Sequence, residues 1–133
     1  MSYQTVIEGL HERFETVTAL RAVLDYAPTA IHDAPLLYSI LDSMTVNYEQ
    51  PVTAWKYRIL HSVVLRWQDF EQSELEALPL VNSIPQAVRA DPHLGGRLAS
   101  GMALISECQS GFREIGEGVY RVLDFYSTVV EKL

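Results

Sequence analysis

The chain has 133 residues, 48% of them apolar, and its 17 acidic side chains against 10 basic ones give a net charge of −7. That is one domain's worth of sequence, apolar enough to bury a core without disulfides. The acidic balance argues against a general nucleic-acid binder, whose affinity comes from cationic contacts to phosphate.

The single cysteine, Cys108, has no partner within the chain, which fits a reducing compartment or a protein indifferent to redox. The start MSYQTVIEGLHERF lacks the basic residues and apolar run of a signal peptide. No apolar stretch approaches the roughly 20 residues of a bilayer span, so a soluble chain made in the cytoplasm, with no membrane contact, is expected.

In residues 4–17, Val6, Ile7, Leu10, Phe14 and Val17 fall on one stripe of an amphipathic helix, with Glu8, Glu12 and Arg13 on the solvated side. Residues 25–35, DYAPTAIHDAP, hold two prolines and two aspartates and read as loop or short edge strand. LLYSILDSMTV (36–46) reads as a strand that turns through NYEQP (47–51) into an antiparallel partner.

That partner is the PVTAWKYRILHSVVLRWQ stretch (51–68). Its odd positions from Thr53 to Trp67 are almost all apolar or aromatic, and its even positions carry Lys56, Arg58 and Arg66. Period two is the strand period. A strand of about 15 residues would span on the order of 50 Å at about 3.3 Å per residue, so part of this hairpin is expected to protrude or to pair with another chain. Aromatic and cationic side chains lie on opposite faces, which weakens a nucleic-acid platform reading.

Residues 69–91 repeat Leu75, Leu78, Val81, Ile84 and Val88 at helical spacing, and Ser73 with Glu76 matches a capping box. Pro79 and Pro85 are expected to kink or divide this helix, with Ser83 restarting it. ADPHLGGR (90–97) reads as a helix stop with a glycine pivot. Residues 97–109 and 119–133 read as strands, and FREIGEG (112–118) as a short strand and turn. The sum is a single α+β domain over 1–133: an antiparallel sheet with a long protruding hairpin and two main helices packed on one face.

Chemistry-bearing patterns are sparse. None of His11, His32, His61 and His93 has metal-ligand spacing, so no metal or other cofactor is expected. His61, mid-strand on the apolar face, reads as a buried, hydrogen-bonded histidine. His32 and Asp33 are neighbours on extended chain and face opposite ways. Gly95-Gly96 follows a helix and precedes a strand, the reverse of a phosphate loop. Asp69, Glu71, Glu74 and Glu76 suit a helix N-terminus. No catalytic constellation emerges, which moves the weight to binding or assembly.

The order of elements resembles the tail terminator, or tail completion, proteins of long-tailed bacteriophages. The likeness covers nearly the whole chain and rests on VIEGLHERF, on the hairpin return strand WKYRILHSVVLRW, on the helix end AVRADPHLGGRL and on the closing strands GFREIGEGVYRVLDFY. The resemblance implies a non-enzymatic virion protein, assembled in the host cytoplasm, that forms a ring, commonly of six subunits, at the head-proximal end of the tail. Such a ring ends tail-tube polymerisation, contacts the major tail tube protein and the head-completion or connector protein, and lets DNA pass without specific binding. An acidic subunit suits that passage.

On this reading the hairpin tip, Met44, Val46, Tyr48 and Glu49, is expected to contact a neighbour or the tube, and Lys56, Arg58 and Arg66 to pair with a neighbour's acids. The alternatives are another head–tail joining protein, a small enzyme or ligand-binding domain with a pocket near His61, or an adaptor that dimerises through the long strand.

Overall fold

The computed structural model describes residues 3–48, 54–98 and 100–132. Among these, the chain runs α1 (Tyr3–Glu15), β1 (Ala22–Leu24), β2 (Leu36–Asn47), β3 (Ala54–Val64), α2 (Phe70–Arg89), β4 (Gly101–Ile115) and β5 (Gly118–Lys132). The strands form one sheet in the order β1-β2-β3-β5-β4, antiparallel throughout except for the parallel β1–β2 pair. This is the expected α+β architecture.

The period-two pattern of β3 decides which face is buried. Tyr57, Ile59, His61 and Val63 point to the helical layer and have at most 2% of their surface exposed. They pack with Val6, Leu10 and Phe14 of α1, with Leu80, Ile84 and Val88 of α2, and with Leu123, Phe125 and Val129 of β5. Each such side chain contributes about 1.5–3 kcal/mol by leaving water. Both helices therefore lie on one face. The opposite face carries a smaller cluster, Leu36, Tyr38, Val64, Ile115 and Val122, at one end only.

Several local expectations are corrected. β3 runs for 11 described residues, and the longest strands are β4 and β5, 15 residues each. Residues 97, 98 and 100 do not join β4, which instead continues unbroken through 112–115 to a turn at Gly116. β3 is bordered by β5 along its whole described length, Ala54 lying opposite Lys132. Within the described residues β3 thus does not extend beyond the sheet.

α2 is capped by Asp69, whose carboxylate accepts from the Gln72 N–H at 2.8 Å. Ser73 sits one turn inside, its hydroxyl donating to the Phe70 carbonyl. Glu76 reaches back to the Arg66 N–H rather than to a cap. The helix also runs unbroken through Pro79 and Pro85. The carbonyls that lose a partner belong to Leu75 and Val81, 56% and 41% exposed, where water can replace the missing donors.

The buried stripe of α2 is Ser73, Ala77, Leu80, Ile84, Ala87 and Val88, so the expected core positions Leu75, Leu78 and Val81 lie at the surface. Small residues face inward because the helix lies close to the sheet and to α1.

After α2 the chain reverses through Leu94, Gly95 and Gly96, all at positive φ (53°, 68° and 88°). Asp91 accepts from the Gly95 N–H at 2.7 Å, and Arg97 forks onto Glu12 of α1 at 2.7 and 3.0 Å. The glycine pivot expected from ADPHLGGR is borne out.

Candidate interaction surfaces

Of the expected contact residues, Met44, Val46, Tyr48 and Lys56 lie toward the turn end of the β2–β3 hairpin. Met44 is 47% and Tyr48 75% exposed, Val46 is half-buried and Lys56 is exposed. Glu49 lies outside the described residues.

Arg58 is engaged within the chain. Its guanidinium donates to Asp42 of β2 (3.1 Å) and Glu107 of β4 (2.5 Å), and lies 4.3 Å above the Tyr126 ring of β5. One cation thus clasps four strands on the helix-free face. The hydrogen bond from Arg58 holds the Glu107 carboxyl below its usual value. Arg66 lies past the end of β3, where its side chain pairs with Glu76 at 2.9 Å. Of the three expected cations, Arg58 and Arg66 therefore have partners inside the chain.

A second surface lies at the far end of the sheet. Trp67, Phe70 and Phe112, 67%, 67% and 66% exposed, line a cavity of about 260 Å³ with Val119, Tyr120 and Arg121. Trp67 meets Tyr120 edge-on at 5.6 Å, and Arg121 lies 5.5 Å from the Phe70 ring. Arg121 is paired with Glu74, so the basin is aromatic without an uncompensated charge. Exposed aromatics with arginine are the composition of interface hot spots.

Sequence reasoning did not assemble this basin, because its residues come from three segments, the β3–α2 connection with the start of α2, β4 and β5, that only tertiary packing brings together. The two surfaces are separated by the length of β5, from Val119 to Val130, roughly 35 Å at about 3.3 Å per residue.

The buried polar chain around His61 is the third feature. His61 Nδ1 lies 2.6 Å from Ser39 Oγ, and its Nε2 lies 2.7 Å from Ser127 Oγ. Ser39 Oγ is also 2.9 Å from His11 Nε2, and His11 Nδ1 faces Asp25 at 4.0 Å. Burial, and secondarily the nearby His11, push the His61 pKa down to about 3. Burial also lowers that of His11, against the opposing pull of Asp25 and Glu15.

Both imidazoles are therefore neutral near pH 7, each with one donor and one acceptor nitrogen. Two opposite proton arrangements satisfy this chain; in the one that points the His11 Nδ1–H toward Asp25, the Ser39 hydroxyl donates to His11. The His61 Nδ1–H then donates to Ser39, and the Ser127 hydroxyl donates to His61. Ser127–His61 has the spacing of a nucleophile and its base, but both residues are 0% exposed. A nucleophile must reach its substrate. The chain instead satisfies buried polar groups, and the expectation of a buried, hydrogen-bonded His61 is borne out.

Among the described residues no group of His, Cys, Asp or Glu could hold a metal ion. No helix there is long and apolar enough to cross a membrane. No family model matches this chain, and no curated protein matches it either.

Proposed function

We propose that this chain is a structural virion protein that forms a ring at the head-proximal end of a phage tail, ends tail-tube polymerisation and presents the head-joining surface. The observation that carries this reading is the pair of exposed apolar surfaces at opposite ends of one sheet. Met44 and Tyr48 lie at one end, and Trp67, Phe70 and Phe112 at the other. A joint between two different structures needs two different contact surfaces facing opposite ways. A ring needs, in addition, lateral contacts between unlike patches that close by rotation. The net charge of −7 suits a channel that DNA traverses without being held. The ring itself, the tail tube protein and a head-completion protein are the partners on this reading, and no cofactor takes part.

The test is absolute mass over a concentration series, with negative-stain images of the largest species, followed by addition to isolated tail tubes. Annular particles of about six copies that cap tube ends are expected. Rings that bind a portal but ignore tubes would make this a head-side joining protein instead. A closed dimer at every concentration would sink the ring.

A further inference from the structure

The sheet has two outer edges, and the described residues close only one end of each. On β2, β1 pairs with Leu36–Tyr38 and stops there. On β4, the turn after α2 covers the first residues: the Ala103 N–H donates to the Pro92 carbonyl at 2.8 Å, and His93 Nδ1 lies 2.7 Å from the Gly101 carbonyl. Beyond these, Ser39–Val46 of β2 and Ile105–Phe112 of β4 have a strand neighbour on one side only among the described residues.

Natural edges of this length are protected by lysine, proline or inward charge. Neither segment contains lysine or proline. Each carries one acid, Asp42 or Glu107, and Arg58 holds both. A bulge in each is the remaining protection. Copies of a chain with net charge −7 repel, and the acids of these two edges are only Asp42 and Glu107, both held by Arg58.

We infer that β4 of one copy pairs with β2 of the next, joining the sheets of neighbouring copies head to tail. This deepens the ring reading above, and it fixes the lateral partner as a second copy of this chain.

Three geometric points support it. First, β2 and β4 run in opposite directions across the sheet, so a head-to-tail contact makes an antiparallel pair, the more stable kind. Second, the faces match in alternate registers, of which one is taken here. Cys108 and Ser110 of β4 lie opposite Phe125 and Leu123, and Leu41 and Met44 of β2 lie opposite Ile59 and Tyr57, all on the helical side. Setting Cys108 beside Met44 and Ser110 beside Leu41 keeps the helices of both copies on one side and opposes no like charges, and it requires β4 to leave the edge after Phe112, where β1 occupies Leu36–Tyr38.

Third, the stagger suits closure. Within one copy, Cys108 is level with Ser39, through Phe125 and His61. Pairing with the next copy's Met44 shifts the level by four ladder steps and a bulged residue, about 15 Å. The four strands β2, β3, β5 and β4 are about 19 Å wide at about 4.8 Å each. A shift of about 15 Å over about 19 Å tilts the strands by about 38°, inside the roughly 35–45° that closed barrels require. In this register neighbouring copies would be offset by the amount a closed ring of tilted strands needs.

Cys108, exposed on β4, makes the test direct. Met44→Cys places a second sulfur on the exposed edge of β2. Mild oxidation of this variant should give a ladder of disulfide-linked chains up to about six copies, with peptide mass spectrometry joining position 44 to Cys108 of another chain. Met44→Cys with Cys108→Ser should lose the ladder.

Absence of the ladder, or links only between like positions, overturns the pairing. Annular particles of the wild-type chain alongside that result would overturn the pairing and leave the ring reading standing. A 44–108 ladder on open filaments would do the opposite.

Discussion

Substituting His61→Gln should remove most of the acid sensitivity of this fold above the carboxylate range. His61 is fully buried between Ser39 and Ser127, and its pKa falls from 6.5 to about 3. In the unfolded chain it binds a proton as pH falls through about 6.5; in the folded chain it refuses one until about 3. A depressed folded pKa therefore gives stability that is present above about 6.5 and lost progressively below it. Over the fully linked range the slope is about 1.4 kcal/mol per pH unit. From about pH 7.5 to about pH 5 the loss from His61 alone is about 2 kcal/mol. His11, shifted the same way by burial, adds to it. Gln keeps an amide that can bond Ser39 or Ser127 but does not titrate. The assay is urea unfolding of both proteins at a series of pH values, followed by tryptophan fluorescence. The absolute stability of the variant does not matter, because the comparison is between slopes. Identical losses in wild type and variant over this window would refute the assignment of His61 as a buried neutral imidazole.

Two further outcomes follow from packing. Arg113 donates to Tyr38 (2.9 Å), Ser62 (2.6 Å) and Asp124 (2.8 Å) on the helix-free face. Arg113→Ala leaves a half-buried carboxylate unpaired and should cost about 2–3 kcal/mol in urea unfolding, and Arg113→Lys should recover less than half, since an ammonium lacks the planar fork; a lysine variant as stable as wild type would dismiss the geometry. Gly9→Ala sets two effects against each other. Alanine favours the helix by about 1 kcal/mol, but its Cβ would lie 2.8 Å from the Leu94 Cβ, and overpacking of a closed site costs about 1–3 kcal/mol. Crowding should win, lowering the midpoint of thermal unfolding, whereas a rise would mean that α1 and the Leu94 turn are free to separate.

Much of the fold is legible in the sequence because the signals are local. The alternation from Trp55 to Val63 marks a strand with one buried face, and Val6, Leu10 and Phe14 mark one helix face. ADPHLGGR marks a reversal at positive φ. α2 shows where local reading fails. Its apolar residues are spread around the helix, so periodicity favoured the large Leu75, Leu78 and Val81, whereas close packing selected Ala77 and Ala87. Its cap was misread because Asp69 and Ser73 both suit the role, and only the position of the first turn chooses between them.

The surfaces are less legible still. Met44, Val46 and Tyr48 could be singled out because they adjoin a turn. The Trp67–Phe70–Phe112 basin could not, because a residue's exposure depends on what packs over it from elsewhere in the chain. The sequence by itself determined α1, β2 and β3, the buried faces of α1 and β3 and the acidic character, since propensity and periodicity act between residues a few positions apart. Only the tertiary structure decided which cations are already paired, which strands lie at the edges and which aromatics meet, because those depend on contacts between residues far apart in the chain.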